Sequence, residues 1–154
     1  MAIEVKDCIA GIEKLSKNLD STMHRITRRA LETIQVAGAS FAPVGTPGNT
    51  TNPPGDLKRS IDVSGPRGGR GLYGGEVGPT VIYGRQRELG GHLYAKRAKY
   101  MRFVKWGVVY YRKHVYQHPH PYLKPGRTAS IEPIWVMANK QIAGTIKGSE
   151  AEHV

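Results

Sequence analysis

The chain has 154 residues, 23 Lys or Arg against 12 Asp or Glu, a formal net charge of +11, and a hydrophobic share of 39%. This length predicts one domain, 1–154, with a modest core, and 19 Gly with 10 Pro predict much loop. A lone cysteine, Cys8, excludes an intrachain disulfide, no apolar run approaches the roughly 18 residues of a membrane span, and Met1-Ala2-Ile3-Glu4-Val5-Lys6-Asp7 lacks the apolar core of a signal peptide. A cytosolic origin without a membrane is therefore expected.

Residues 1–41 carry the clearest periodicity. Apolar or small residues recur at Val5, Cys8, Ile12, Leu15, Leu19, Met23, Ile26, Ala30, Ile34, Ala37 and Phe41, ten successive steps of three or four. That spacing predicts a helix with a core face. Asp20-Ser21-Thr22 offers capping residue types and a place for a break. Arg25, Arg28 and Arg29 fall off the stripe, with Glu32 in reach of the last two.

Residues 42–56 hold four Pro and three Gly. They form neither helix nor interior strand. An arm mobile alone and ordered by a partner is expected.

Between 57 and 127 the period shortens. Leu57–Val63 reads as a strand, Gly65–Gly71 as a turn and Leu72–Val77 as a second strand. Tyr83–Gly90 reads as a short helix ended by glycine. Tyr100–Trp106 and Val108–Tyr116 read as a basic hairpin turning at Gly107. A C-terminal helix over 128–147 follows, with Ile131, Trp135, Ala138, Ile142 and Ile146 on one face. Ser130 is its expected cap and Pro133 falls in its first turn; 148–154 is a tail. The class is α+β: a long N-terminal helix, a small mainly antiparallel sheet with an extended basic hairpin, and a closing helix.

Charge is concentrated. From Arg85 to Arg127 there are eleven Lys or Arg and one acid, Glu88, a net of +10. Such a run repels itself and calls for a counter-charge, on nucleic acid or on an acidic protein surface. Tyr94, Tyr100, Phe103, Trp106, Tyr110, Tyr111 and Tyr116 interleave with the cations. That pattern suits phosphate contact with base stacking, and it equally suits the inner face of a hairpin.

Enzyme signatures fail on context. Gly69-Arg70-Gly71-Leu72-Tyr73-Gly74 fits a dinucleotide fingerprint in letters, but Gly75, Gly78 and Pro79 follow where a helix must begin. His114, His118 and His120, with His92, are close in sequence. No thiol or acid lies near them to complete a tetrahedral site. No catalysis, cofactor or metal is expected.

Three segments stand in a fixed order. Ala42-Pro43-Val44-Gly45-Thr46 leads to Gly55-Asp56-Leu57-Lys58-Arg59-Ser60-Ile61. Tyr83-Gly84-Arg85-Gln86-Arg87-Glu88-Leu89-Gly90-Gly91 comes next. Pro119-His120-Pro121-Tyr122-Leu123-Lys124-Pro125 precedes the last helix. This order resembles the tail-completion or head–tail joining proteins of long-tailed bacteriophages. Their segments run AP-x-x-TG-x-LR-x-SI, YA-x-x-x-E-x-G and RPYLRPA. This chain departs from them in the insertion 47–54, in Gly84 and Gly126 where alanine is usual, and in a longer basic hairpin.

The resemblance implies a structural virion protein of the neck. It would be assembled in the host cytoplasm as a ring of identical subunits, usually hexameric. Its partners would be adjacent connector and tail-tube or tail-terminator proteins, with genomic DNA in the channel as a further candidate. On this reading Arg59, Arg85, Arg87, Glu88, Arg102, Lys105, Arg112, Lys113, Tyr122 and Leu123 are the candidate interface residues. Glu88 would be an ion-pair partner for a neighbouring arginine, and Tyr122 and Leu123 would anchor the closing helix. A basic nucleic-acid-binding module is the alternative reading.

Overall fold

A computed structural model describes residues 5–45, 52–105 and 107–151. The elements are α1 (Val5–Phe41), α2 (Asp56–Arg59), β1 (Ile61–Gly69), β2 (Leu72–Pro79), α3 (Gly84–Leu89), β3 (Gly91–Tyr94), β4 (Met101–Lys105), β5 (Val108–Arg112), β6 (His114–Gln117) and α4 (Leu123–Ala151). The class is α+β. Among the described residues the strands form three two-stranded pairs rather than one sheet, β1 with β2, β3 with β6, and β4 with β5. Part of the expected arm, residues 46–51, lies outside the described residues.

The chain packs as two compact units, neither contiguous in sequence. The first comprises residues 1–33, 64–76 and 130–154. Here α1 buries Thr22, Ile26 and Leu31. Thr22 and Thr145 share a hydroxyl hydrogen bond of 2.9 Å, and Arg25 Nε donates to Gln141 Oε1 at 3.3 Å, so the two helices run antiparallel. The expected break at Asp20-Ser21-Thr22 does not occur. Ser21 Oγ donates instead to the Asn18 carbonyl at 2.9 Å, and Thr22 is spent on the helix contact. Residues that cap helices elsewhere are thus accommodated mid-helix by bonds to their own turn or to a neighbour. Arg28 pairs with Glu32 at 3.0 Å, as the spacing predicts. Gly75 lies against the Leu31 side chain.

The second unit comprises residues 34–63 and 77–129. Its core is Ala42, Leu57, Ile61 and Tyr122, flanked by Ala39, Val77, Val81, Tyr83 and Leu123. The expected strand at Leu57–Val63 is corrected: α2 occupies Asp56–Arg59 and β1 starts at Ile61. The turn takes up its four residues as a single helical turn, which points Leu57 inward, 5% exposed. The expected glycine-rich turn at Gly65–Gly71 is corrected too, since β1 continues to Gly69 and only Arg70-Gly71 connects it to β2. A two-residue connection joins antiparallel neighbours. Gly90 follows α3 with φ 69°, as expected of a residue ending a helix. The expected second hairpin strand, 108–116, is split: β5 pairs with β4, whereas β6 leaves to pair with β3. Trp106, at the hairpin's expected turn, lies outside the described residues.

The last helix starts at Leu123, before the expected Ser130 cap. Ser130 is a helix-interior residue, 1% exposed, and Pro133 also lies inside the helix, where it removes the hydrogen bond to the Ala129 carbonyl. Lys124-Pro125-Gly126 looks like a breaker but is not one. Pro125 falls in the first turn, where its missing N–H costs nothing. Gly126 touches α1: a Cβ there would meet Gly38 N and Cα at 2.6 Å. Gly84 is similarly confined, by the Pro79 ring and by Leu57 Cδ1 at 3.2 Å. Both glycines stand where the resembled family has alanine, and at both this chain has no room for a methyl group.

Candidate assembly interface

The positions predicted to form an interface divide into an anchored group and an exposed group. The anchored group centres on Glu88 in α3. Its Oε2 accepts from Tyr122 N at 2.7 Å and Leu123 N at 3.0 Å, and its Oε1 accepts from Lys124 N at 3.0 Å. These are among the N–H groups that the start of α4 leaves without helical partners. A carboxylate there also meets the positive end of the helix dipole. Within the single chain, this cap is the role that Glu88 fills. Its partners lie 34 to 36 residues away, so no local motif announces it.

Tyr122 is fully buried, and its hydroxyl donates to the Gly84 carbonyl at 3.2 Å. Burial, and then the nearby Glu88 charge and Tyr83, push its phenol from 10.0 up to about 12. Tyr83 donates to Asp56 Oδ2 at 2.9 Å, and burial together with that carboxylate raises its phenol as well. Leu123 is half-buried beside the core. Tyr122 and Leu123 therefore anchor the start of α4.

The exposed group is basic. Arg59, Arg85, Arg102, Arg112 and Lys113 are exposed, and Arg87 is half-buried with its carbonyl accepting from His120 N at 2.8 Å. No carboxylate among the described residues pairs with Arg85, Arg102, Arg112 or Lys113. The hairpin does not gather them on one face. Arg102 lies opposite Tyr111 and Arg112 opposite Met101, so alternation puts the two arginines on opposite faces. Lys105 closes β4 against Val108; its side chain lies outside those described. Lys113 falls in the bend between β5 and β6, with its carbonyl bonded to Ala95 N at 3.2 Å.

Apolar exposure is the feature that sequence reasoning missed. Every residue of β5 is exposed, Tyr111 by 62%. A two-stranded hairpin open on both faces is marginal in water by itself. On α4 the stripe expected to face the core is largely outside it: Ile131 is 49% and Trp135 61% exposed. Half-buried Ile134, Met137, Ala138 and Ile142 are also apolar, so this stretch is apolar over much of its circumference. A helix of that kind needs cover on more than one side.

Among the described residues, no three His, Cys, Asp or Glu side chains gather to hold a metal ion, and no helix is long and apolar enough to cross a membrane. Compared with known proteins, the chain matches no family model, no curated sequence and no solved structure.

Proposed function

We propose that this chain is a structural, non-catalytic subunit of a phage neck. Identical copies close into a ring, most simply a hexamer, that joins the DNA-filled head to the tail or completes the tail. The observation that carries the reading is an inversion of ordinary burial. Among the described residues six apolar side chains are buried, whereas nineteen large ones are exposed, on α1, β2, the hairpin and α4 alike. Scattered exposed apolar residues are ordinary, but a ridge such as Ile131–Trp135 on α4, and separately a hairpin whose β5 is exposed throughout, mark surfaces that another protein covers. The order of the three sequence segments is what turns the reading toward a phage neck, and a copy of the chain is the partner that a closed ring requires.

Native mass spectrometry of the full chain, alone and with tail or neck components, is expected to give one closed oligomer. Ile131→Glu with Trp135→Glu is expected to return it to monomers with the helical circular dichroism retained, because both side chains are already exposed in the single chain. A parent that stays monomeric with its neck partners, or that grows into open filaments as its native form, contradicts the reading.

A further inference from the structure

The β3–β6 pair carries a feature that is complete within a single chain. Its register sets His92 opposite Tyr116 and Tyr94 opposite His114. Alternation puts these four rings on one face, and His118 continues the row. They touch one another in sequence along the ladder. Tyr116 lies 5.0 Å from His118 and 5.0 Å from His92; His92 and Tyr94, and Tyr94 and His114, are each 6.1 Å apart with ring planes at 30°. All five residues are exposed, Tyr94 by 63% and Tyr116 by 49%. The opposite face, Leu93 and Val115, is half-buried, so the rings are not the packing side of the pair.

The charge around this row has one sign. From His92 to His118 the sequence contains seven Lys or Arg and no Asp or Glu. The bond from Ala95 N to the Lys113 carbonyl brings both strands' basic flanks to the Tyr94–His114 end of the ladder. An exposed aromatic row with cations at its end, on a segment that itself carries no acid, complements a polyanion that also offers flat apolar rings. An acidic protein surface supplies the first property without the second.

We propose that the ring-bearing face of β3–β6 binds single-stranded nucleic acid, with unpaired bases stacked on Tyr94, Tyr116 and the three histidines and with phosphates held by the flanking Lys and Arg. Neighbouring like-facing positions along a strand are roughly 6.6 Å apart, so the ladder offers successive stacking surfaces to an extended strand. In a duplex the base faces are already stacked on each other and the rings have nothing to receive; only the cations would engage. The inference stands apart from ring formation, since the face is present in a single chain.

Fluorescence anisotropy with a labelled oligothymidylate tests it on the full chain, whatever its oligomeric state. Binding that weakens with salt is expected from the phosphate contacts. Tyr94→Ala with Tyr116→Ala is expected to lower the affinity by about ten- to a hundredfold, given the usual worth of base–aromatic stacking. Tyr94→Phe with Tyr116→Phe is expected to bind as the parent does. Tyr94→Lys separates stacking from charge: a stacking face binds more weakly after the change, whereas a purely electrostatic one binds more tightly. Tighter binding by Tyr94→Lys, undiminished binding by the double alanine variant, or equal binding of a duplex or of polyglutamate overturns the proposal.

Discussion

Tyr122→Ala is expected to lower stability by about 3–5 kcal/mol, the usual cost of emptying a large aromatic site in a core. Whole domains are stable by only about 5–15 kcal/mol, and this core is small. It contains Ala42, Leu57, Ile61 and Tyr122, and among the described residues Tyr122 and Ser130 are the largest side chains that are fully buried. The milder Tyr122→Phe keeps the ring but leaves the Gly84 carbonyl without its donor, at a cost of about 1–3 kcal/mol. Tyrosine also gives the effect a pH signature. Its folded pKa, about 12, lies above the ordinary 10.0. A group raised on folding contributes its stability below the unfolded value and loses it as pH rises through the folded one. The urea midpoint should therefore fall between about pH 10 and pH 12, and less steeply in Tyr122→Phe. Tyr83, shifted in the same direction, keeps part of the slope. An alanine variant within about 1 kcal/mol of the parent would show that the site collapses around the loss, contrary to the packing seen here.

Glu88→Ala should rank second, at about 2–4 kcal/mol. One carboxylate holds three backbone N–H groups at 2.7 to 3.0 Å. Hydrogen bonds to a charged acceptor are stronger than neutral ones, and removing the acceptor leaves part-buried donors unsatisfied. Glu88→Gln retains one carbonyl acceptor and loses the charge that complements the helix dipole, so it should fall between the parent and the alanine variant. Amide exchange should speed up first at Tyr122, Leu123 and Lys124. Were Glu88 only an intersubunit ion-pair residue, its removal would lower assembly and leave exchange at these three amides unchanged.

The parts of the fold legible in the sequence are those set by local chemistry. The helix over α1 follows from its apolar spacing, the end of α3 from Gly90, and β2 from a short β-rich run. Exposure at Arg85, Arg102, Arg112 and Lys113 follows from their being long charged side chains, which are rarely buried without a partner. What was not legible depends on distant partners. Gly126 in Leu123-Lys124-Pro125-Gly126 is where α4 approaches Gly38 of α1, a contact that no local pattern announces. Ser130 has the side chain of a cap, yet the cap function belongs to Glu88 across the unit. Ile131 and Trp135 have the spacing of a core face, but periodicity records only that a face is apolar. It does not record whether the same chain or another covers it.

The interleaving of the two units bears on how the protein is made. Ribosomes deliver α1 first, but its described contacts with α4 involve residues from Leu123 onward. Ala42, Leu57 and Ile61 likewise wait for Tyr122, whose backbone is held by Glu88. Neither unit can close until the segment from Tyr122 through α4 has been synthesised, so α1 emerges before the α4 residues that cover part of it. A nascent chain stalled before Tyr122 consequently presents the cell with an aggregation-prone helix rather than a finished half.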